Sequence, residues 1–184
     1  MKLTKSFWDY SIHVYRQHGV ADAFLELQNK HGADVNMLLY CCWFGIARGR
    51  FNDKVFNAAL GFSSAWSTQV VKPLRSARTW LKQTGCQGRL IDSGSCMEFR
   101  DKIKGIELHA EKLQQTTIES LGMDVPAIDL SIPAQLDAVV ENLKCYFAAA
   151  EIDINNIALK NLELIIAVSV EGIESGLIRK ALSK

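Results

Sequence analysis

Residues 37–47 read Met-Leu-Leu-Tyr-Cys-Cys-Trp-Phe-Gly-Ile-Ala, with no charged side chain among them. A bilayer span needs about 20 such residues, so this run is too short to cross one. It shows neither the alternation of a half-buried strand nor the polar face of a surface helix. A segment of this kind is expected to be a helix buried on nearly all sides. The rest of the chain must then supply the elements that surround it.

The remaining pattern is helical. Ser6 stands as an N-cap before Phe7, Tyr10, Ser11, Val14 and Tyr15, a stripe at helical spacing that Gly19 closes. A second helix is expected over residues 20–30, stopping at His31-Gly32. Asp34 is placed to cap the buried run, which ends near Arg48-Gly49. Asn52 or Asp53 starts a fourth helix. A long fifth is expected over about residues 63–84, with a kink or break at Pro73. Residues 85–94 hold three glycines and read as a loop.

Ser95 and Glu98 have the spacing of a capping box and would open a sixth helix. Phe99, Ile103, Ile106, Ala110 and Leu113 then form a seam for the fifth helix. After a second loop over residues 122–131, helices are expected over residues 132–150 and 156–170, with a last piece after Gly172. No segment alternates at period two, so the expected fold class is all-α: one domain over residues 1–184, of about seven or eight helices around the buried run. Trp8, Trp43, Trp66 and the phenylalanines are expected to supply much of its core, and Trp80 falls off the seam.

Charge is unevenly placed along the chain. Residues 1–104 hold 15 Lys/Arg against 8 Asp/Glu, and residues 105–184 hold 6 against 12. The halves could attract each other, or the basic half could meet an acidic protein partner. Nucleic-acid binding is disfavoured by a pI of 7.6, since such domains run above about 9. Five cysteines, Cys41, Cys42, Cys86, Cys96 and Cys145, form neither a disulfide framework nor a zinc motif. Reduced thiols are the simplest expectation, with Cys86 and Cys96 the more exposed. The basic start Met1-Lys2-Leu3-Thr4-Lys5 runs straight into aromatic residues without an apolar stretch, so no signal peptide is expected and the cytoplasm is the expected compartment.

Motifs that carry chemistry are few. No phosphate-binding glycine loop, dinucleotide fingerprint or nucleophile elbow occurs, and no cofactor is implied. In Glu107-x-His109-x-Glu111 the two carboxylates share a helix face and the imidazole points elsewhere, which is not a metal-ligand spacing. Two sets of polar residues stand out. Arg75, Arg78 and Lys82, with Arg100 and Lys104, could form a basic docking face. They could also be solvated, or paired with Glu107 and Glu111. Tyr10, His13, Tyr15, Gln28, Asp34 and Asn36 could line a ligand pocket near the first three helices, with capping as the simpler role for Asp34.

The stretch Phe7-Trp8-x-Tyr10-Ser11-x-x-Val14-Tyr15, followed by Gly19-Val20, Leu25-x-Leu27-Gln28, Gly32-x-Asp34-Val35-Asn36-x-Leu38-Leu39 and Trp43, resembles a family of small, uncharacterised bacterial proteins. The likeness continues through Val71-x-Pro73-Leu74-Arg75-x-Ala77-Arg78 and Leu81-Lys82. It reaches Phe99-Arg100, Ile103-Lys104, Glu107-Leu108 and Ala110-Glu111. The chain departs from the pattern at Thr79, where a second consecutive arginine is common. The resemblance implies a helical cytoplasmic protein and brings no activity with it. Two readings of function follow. The first is a protein-interaction or adaptor module using the basic face, and the alternative is a small-ligand-binding protein or enzyme with the pocket.

Overall fold

The computed structural model describes residues 6–83 and 92–183. Among these the chain is all-α, with no strand. The helices are α1 (Phe7–Tyr15), α2 (Val20–His31), α3 (Val35–Arg48), α4 (Asp53–Trp66), α5 (Lys72–Gln83), α6 (Ser93–Leu121), α7 (Ile132–Ala149), α8 (Asn156–Ser169) and α9 (Ser175–Leu182). A π-helical turn, Ser67–Val71, joins α4 to α5, so that the two form one continuous rod. With that rod counted once, the described residues form eight helices.

Burial of α3 follows its composition. Every residue from Asn36 to Ala47 is buried, and Leu38, Tyr40, Cys41, Cys42 and Phe44 are fully so. Asp34 caps the helix by accepting from Asn36 N at 2.8 Å. Gly45 lets α7 approach, since a Cβ there would lie 2.8 Å from Val139 N. Asn142 of α7 staples the contact. Its Nδ2 donates to the carbonyls of Cys41 (3.3 Å) and Gly49 (3.1 Å), and its Oδ1 accepts from Phe51 N (2.9 Å). Phe7 and Phe24 complete the apolar packing from α1 and α2, and Leu143 and Ile165 from α7 and α8. Burial pushes the Cys41 thiol well up and the Cys42 thiol up to about 12, so both are inert at neutral pH.

Several expected boundaries move. The expected fourth and fifth helices are not separate, since α4 runs through the π turn straight into α5. Pro73 does not break the rod. It lacks the N–H that would reach the carbonyl four residues back, and the ladder slips by one residue just before it, with Lys72 N–H donating to Ser67 O. The cap of α6 is Asp92 rather than Ser95. Asp92 accepts from Gly94 N at 3.0 Å and Ser95 N at 2.8 Å, while Glu98 pairs with Lys102. The expected loop over residues 85–94 lies mostly outside the described residues.

The helix α5 packs along α6 through a small cluster of its own, Leu81, Cys96 and Ile103 with Leu74 against them. The expected seam is therefore half right. Ile103 and Ala110 are buried, but Phe99, Ile106 and Leu113 are 57%, 55% and 44% exposed, because α5 covers only one narrow stripe of α6. Trp43 is in the core as expected, whereas Trp8 and Trp66 are only partly buried and Trp80 is exposed. Cys96 corrects two expectations at once: it is buried, and it is disulfide-bonded. Cys41, Cys42 and Cys145 are free thiols.

Candidate functional site

A cavity of about 350 Å³ opens where the N-terminus of α3 meets the α4–α5 rod, α6 and the C-terminal turn of α7. This is within the size range of small-molecule sites. One wall is a single face of the rod: Ser64, Ser67, Thr68, Val71, Lys72 and Arg75 recur at three- and four-residue steps. The π turn lies in the middle of that wall, a distortion often found at functional sites. Opposite it stand Gln28 from α2 and Asp34, Val35 and Asn36 from the start of α3, with Tyr146 and Ala149 of α7 beside them. Glu111 and Gln114 come from α6.

Under the cavity lies a dense polar network, in which Gln115 Oε1 is left buried without a partner among the described residues. Asp34 Oδ1 accepts from Asn36 N, and Oδ2 accepts from Ser63 Oγ at 2.9 Å and Gln114 Nε2 at 2.8 Å. Gln114 Nε2 also donates to Ser63 Oγ, and Gln114 Oε1 accepts from Asn36 Nδ2 at 2.8 Å. Asn36 Oδ1 accepts from Gln115 Nε2 at 2.7 Å, and Tyr146 Oη accepts from Asp34 N at 2.7 Å. Gln114 and Gln115 are buried, so these bonds satisfy groups that would each cost about 1–3 kcal/mol if left alone.

At one rim the network becomes ionic. Arg75 donates from Nε to Glu107 at 2.9 Å, from Nη2 to Glu111 at 2.7 Å, and from Nη1 to the Gln28 carboxamide oxygen. Arg78 adds two hydrogen bonds to Glu107. The side chain of Glu107 is only 7% exposed. Burial pushes its carboxyl up, but the bonds from Arg78 and Arg75 outweigh burial and hold it below the ordinary glutamate value. Glu111 goes the other way. Burial raises it, Glu107 adds to the rise, and Arg75 offsets only part.

The residues singled out in the sequence separate here. Of the six pocket candidates, Gln28, Asp34 and Asn36 line the cavity. The other three do not join them. Tyr10 is 1% exposed and belongs to the hydrophobic core, where burial drives its hydroxyl well above the ordinary value. His13 lies beside Asp9, Arg16 and Gln17 in a separate surface depression. Tyr15 stacks on Phe24 at 5.8 Å. Among the basic candidates, Arg75 and Arg78 are turned onto Glu107 and Glu111, the pairing weighed from the spacing. Arg100 bonds to Asp101 at 3.0 Å, and Lys82 and Lys104 are exposed. His109 is exposed, away from the face of Glu107 and Glu111. Sequence reasoning missed Ser67, Thr68, Lys72, Gln114 and Tyr146. Only Gln114 carried a usable signal, three residues beyond Glu111 on the Glu107 face.

The fold and this cavity define an all-helical domain with a polar pocket at a helix junction. A family model described as "Protein of unknown function (DUF2390)" matches residues 6–118, and the chain belongs to that family. The matched stretch contains every wall of the cavity except the α7 side. No curated protein and no solved structure matches the chain.

Proposed function

We propose that this protein binds a small polar metabolite in the cavity between α3, the α4–α5 rod and α6. The observation that carries the reading is convergence. Gln28, Asp34 and Asn36 from one stretch, Lys72 and Arg75 from a second, and Glu111 and Gln114 from a third meet around one 350 Å³ space. A network serving packing alone would need no such opening beside it. Rigid helices hold the polar groups, and the hydrogen-bonded floor fixes their rotamers, which is the arrangement a binding site needs.

The basic face as a dock for an acidic protein is the weaker reading. Its two central arginines are engaged by Glu107 and Glu111, which leaves Lys82 and Lys104 as its exposed cations. For the compartment, three free thiols support the cytoplasm and the Cys96 disulfide counts against it. Thiol labelling in intact cells decides that point.

Native mass spectrometry of the protein purified from its own cell tests the binding reading. The expected spectrum shows a second species heavier by the mass of one small molecule. Thr68→Trp places a large side chain into the cavity from an exposed position. It should keep the helical circular dichroism and lose the heavier species. A single unliganded mass for the wild type, or an adduct that survives Thr68→Trp, would contradict the reading.

A further inference from the structure

We propose that the occupant of this cavity is a small organic anion, a carboxylate or phosphate monoester, whose charged group is held by Lys72 and the hydroxyls of the rod. The inference rests on the cavity being a binding site and adds the class of ligand.

Two inventories lead to it, one of hydrogen bonds and one of charge. Most side-chain acceptors of the floor are engaged, Gln115 Oε1 being left buried without a partner among the described residues. Both oxygens of Asp34 are bonded, as are the carboxamide oxygens of Asn36, Gln114 and Gln28. Glu111 Oε1 is held by Arg75. The donors on the facing wall are not engaged. Among the described residues, the hydroxyls of Ser64, Ser67 and Thr68 and the Lys72 ammonium make no hydrogen bond or ion pair to other side chains or to the backbone. Tyr146 Oη accepts from Asp34 N and so keeps its own proton to donate. A space with unbonded donors along one wall, and most side-chain acceptors of its floor already bonded, suits a ligand rich in acceptors.

The charge inventory agrees. Arg75 and Arg78 are answered by Glu107 and Glu111, two cations for two carboxylates. Asp34 sits at the N-terminus of α3, where the helix dipole and three donors answer it. Lys72 is left, and among the described residues lining the cavity it is the cation with no carboxylate partner. Its position is set by the rod, since Lys72 lies four residues after Thr68 and five after Ser67, across the slipped turn. A compact oxyanion beside Lys72 is therefore within reach of hydroxyl donors from the same wall. The apolar part of such a ligand would lie against Leu60, Val71 and Ala149.

Isothermal titration of the whole protein tests this. The probes are succinate, inorganic phosphate and glycerol 3-phosphate, with glycerol and glucose as neutral controls and putrescine as a cationic one. An anionic probe is expected to bind with an affinity that falls at least tenfold in Lys72→Met and at least threefold between 20 and 300 mM NaCl. Lys72→Arg should retain most of it. Lys72 is exposed, so the thermal midpoint of the unliganded Lys72→Met protein should stay at the wild-type value. Preferential binding of a neutral or cationic probe, or anion binding indifferent to Lys72→Met, overturns the inference and leaves the cavity reading in place. If none of the probes binds, the anion inference falls. The cavity reading falls with it only if the protein from its own cell also carries no small molecule.

Discussion

Along its middle, α3 meets α7 with nothing between them. Gly45 sits against Val139, and the polar groups at that contact are closed by the Asn142 staple. At its N-terminus the same helix faces the rod and α6 across a cavity, with a hydrogen-bonded floor and open donors on the far wall. Both contacts bury polar side chains and bond most of them, Gln115 Oε1 at the cavity floor being an exception. They differ in the space and the donors left beside them. Against α7 the Asn142 carboxamide bonds the backbone groups it meets, and that contact is closely packed. Against the rod, Lys72 and three hydroxyls make no bond to other side chains or the backbone among the described residues, and that contact keeps an open cavity.

The contrast can be broken by substitution. The largest loss should come from the dry side. Leu38→Ala removes a fully buried side chain and should cost about 2–5 kcal/mol in urea unfolding. Next is Glu107→Gln, which leaves two guanidiniums against a neutral group and should cost about 3 kcal/mol at neutral pH. This variant also carries a pH signature. A carboxyl held below its unfolded value of about 4.3 stabilises the fold above that pH. The contribution disappears as the pH falls through the lowered folded value. The penalty of Glu107→Gln should therefore shrink in acid, and an unchanged penalty at pH 3 would remove the pair from the account.

Gly45→Ala should cost about 1–3 kcal/mol, because the Val139 backbone cannot retreat without moving α7. The smallest effect belongs to the open wall. Ser67→Ala should change stability by no more than about 0.5 kcal/mol, since its hydroxyl bonds to nothing in the fold. A cost as large as that of Gly45→Ala would mean that the wall serves packing, and the contrast would be lost.

The dry side was legible in the sequence. The uncharged run over residues 37–47, with Asp34 placed as its cap and Arg48-Gly49 as its end, reads as a buried helix, and it is one. The cavity was half legible. Gln28, Asp34 and Asn36 stood out because polar residues beside an apolar run ask for a reason. Ser67 and Thr68 did not, because hydroxyls are ordinary on a helix surface and their place on the cavity wall goes with the π turn just before Pro73. Tyr146 lies 112 residues from Asp34, and no local pattern announces such a pairing. The failure at Ser95 was of another kind. Two acceptable caps stood three residues apart, and Asp92, with two carboxylate oxygens for two backbone donors, took the helix end.

The most direct test of the cavity as a binding site is the thermal midpoint of wild type and Thr68→Trp, each measured with and without the small-molecule extract of the native cell. A ligand at a hundred times its dissociation constant stabilises by about 2.7 kcal/mol, or roughly 5–10 °C for a chain of this size. The account predicts that rise for the wild type and none for Thr68→Trp. Equal shifts in the two proteins, or no shift in either, would contradict it.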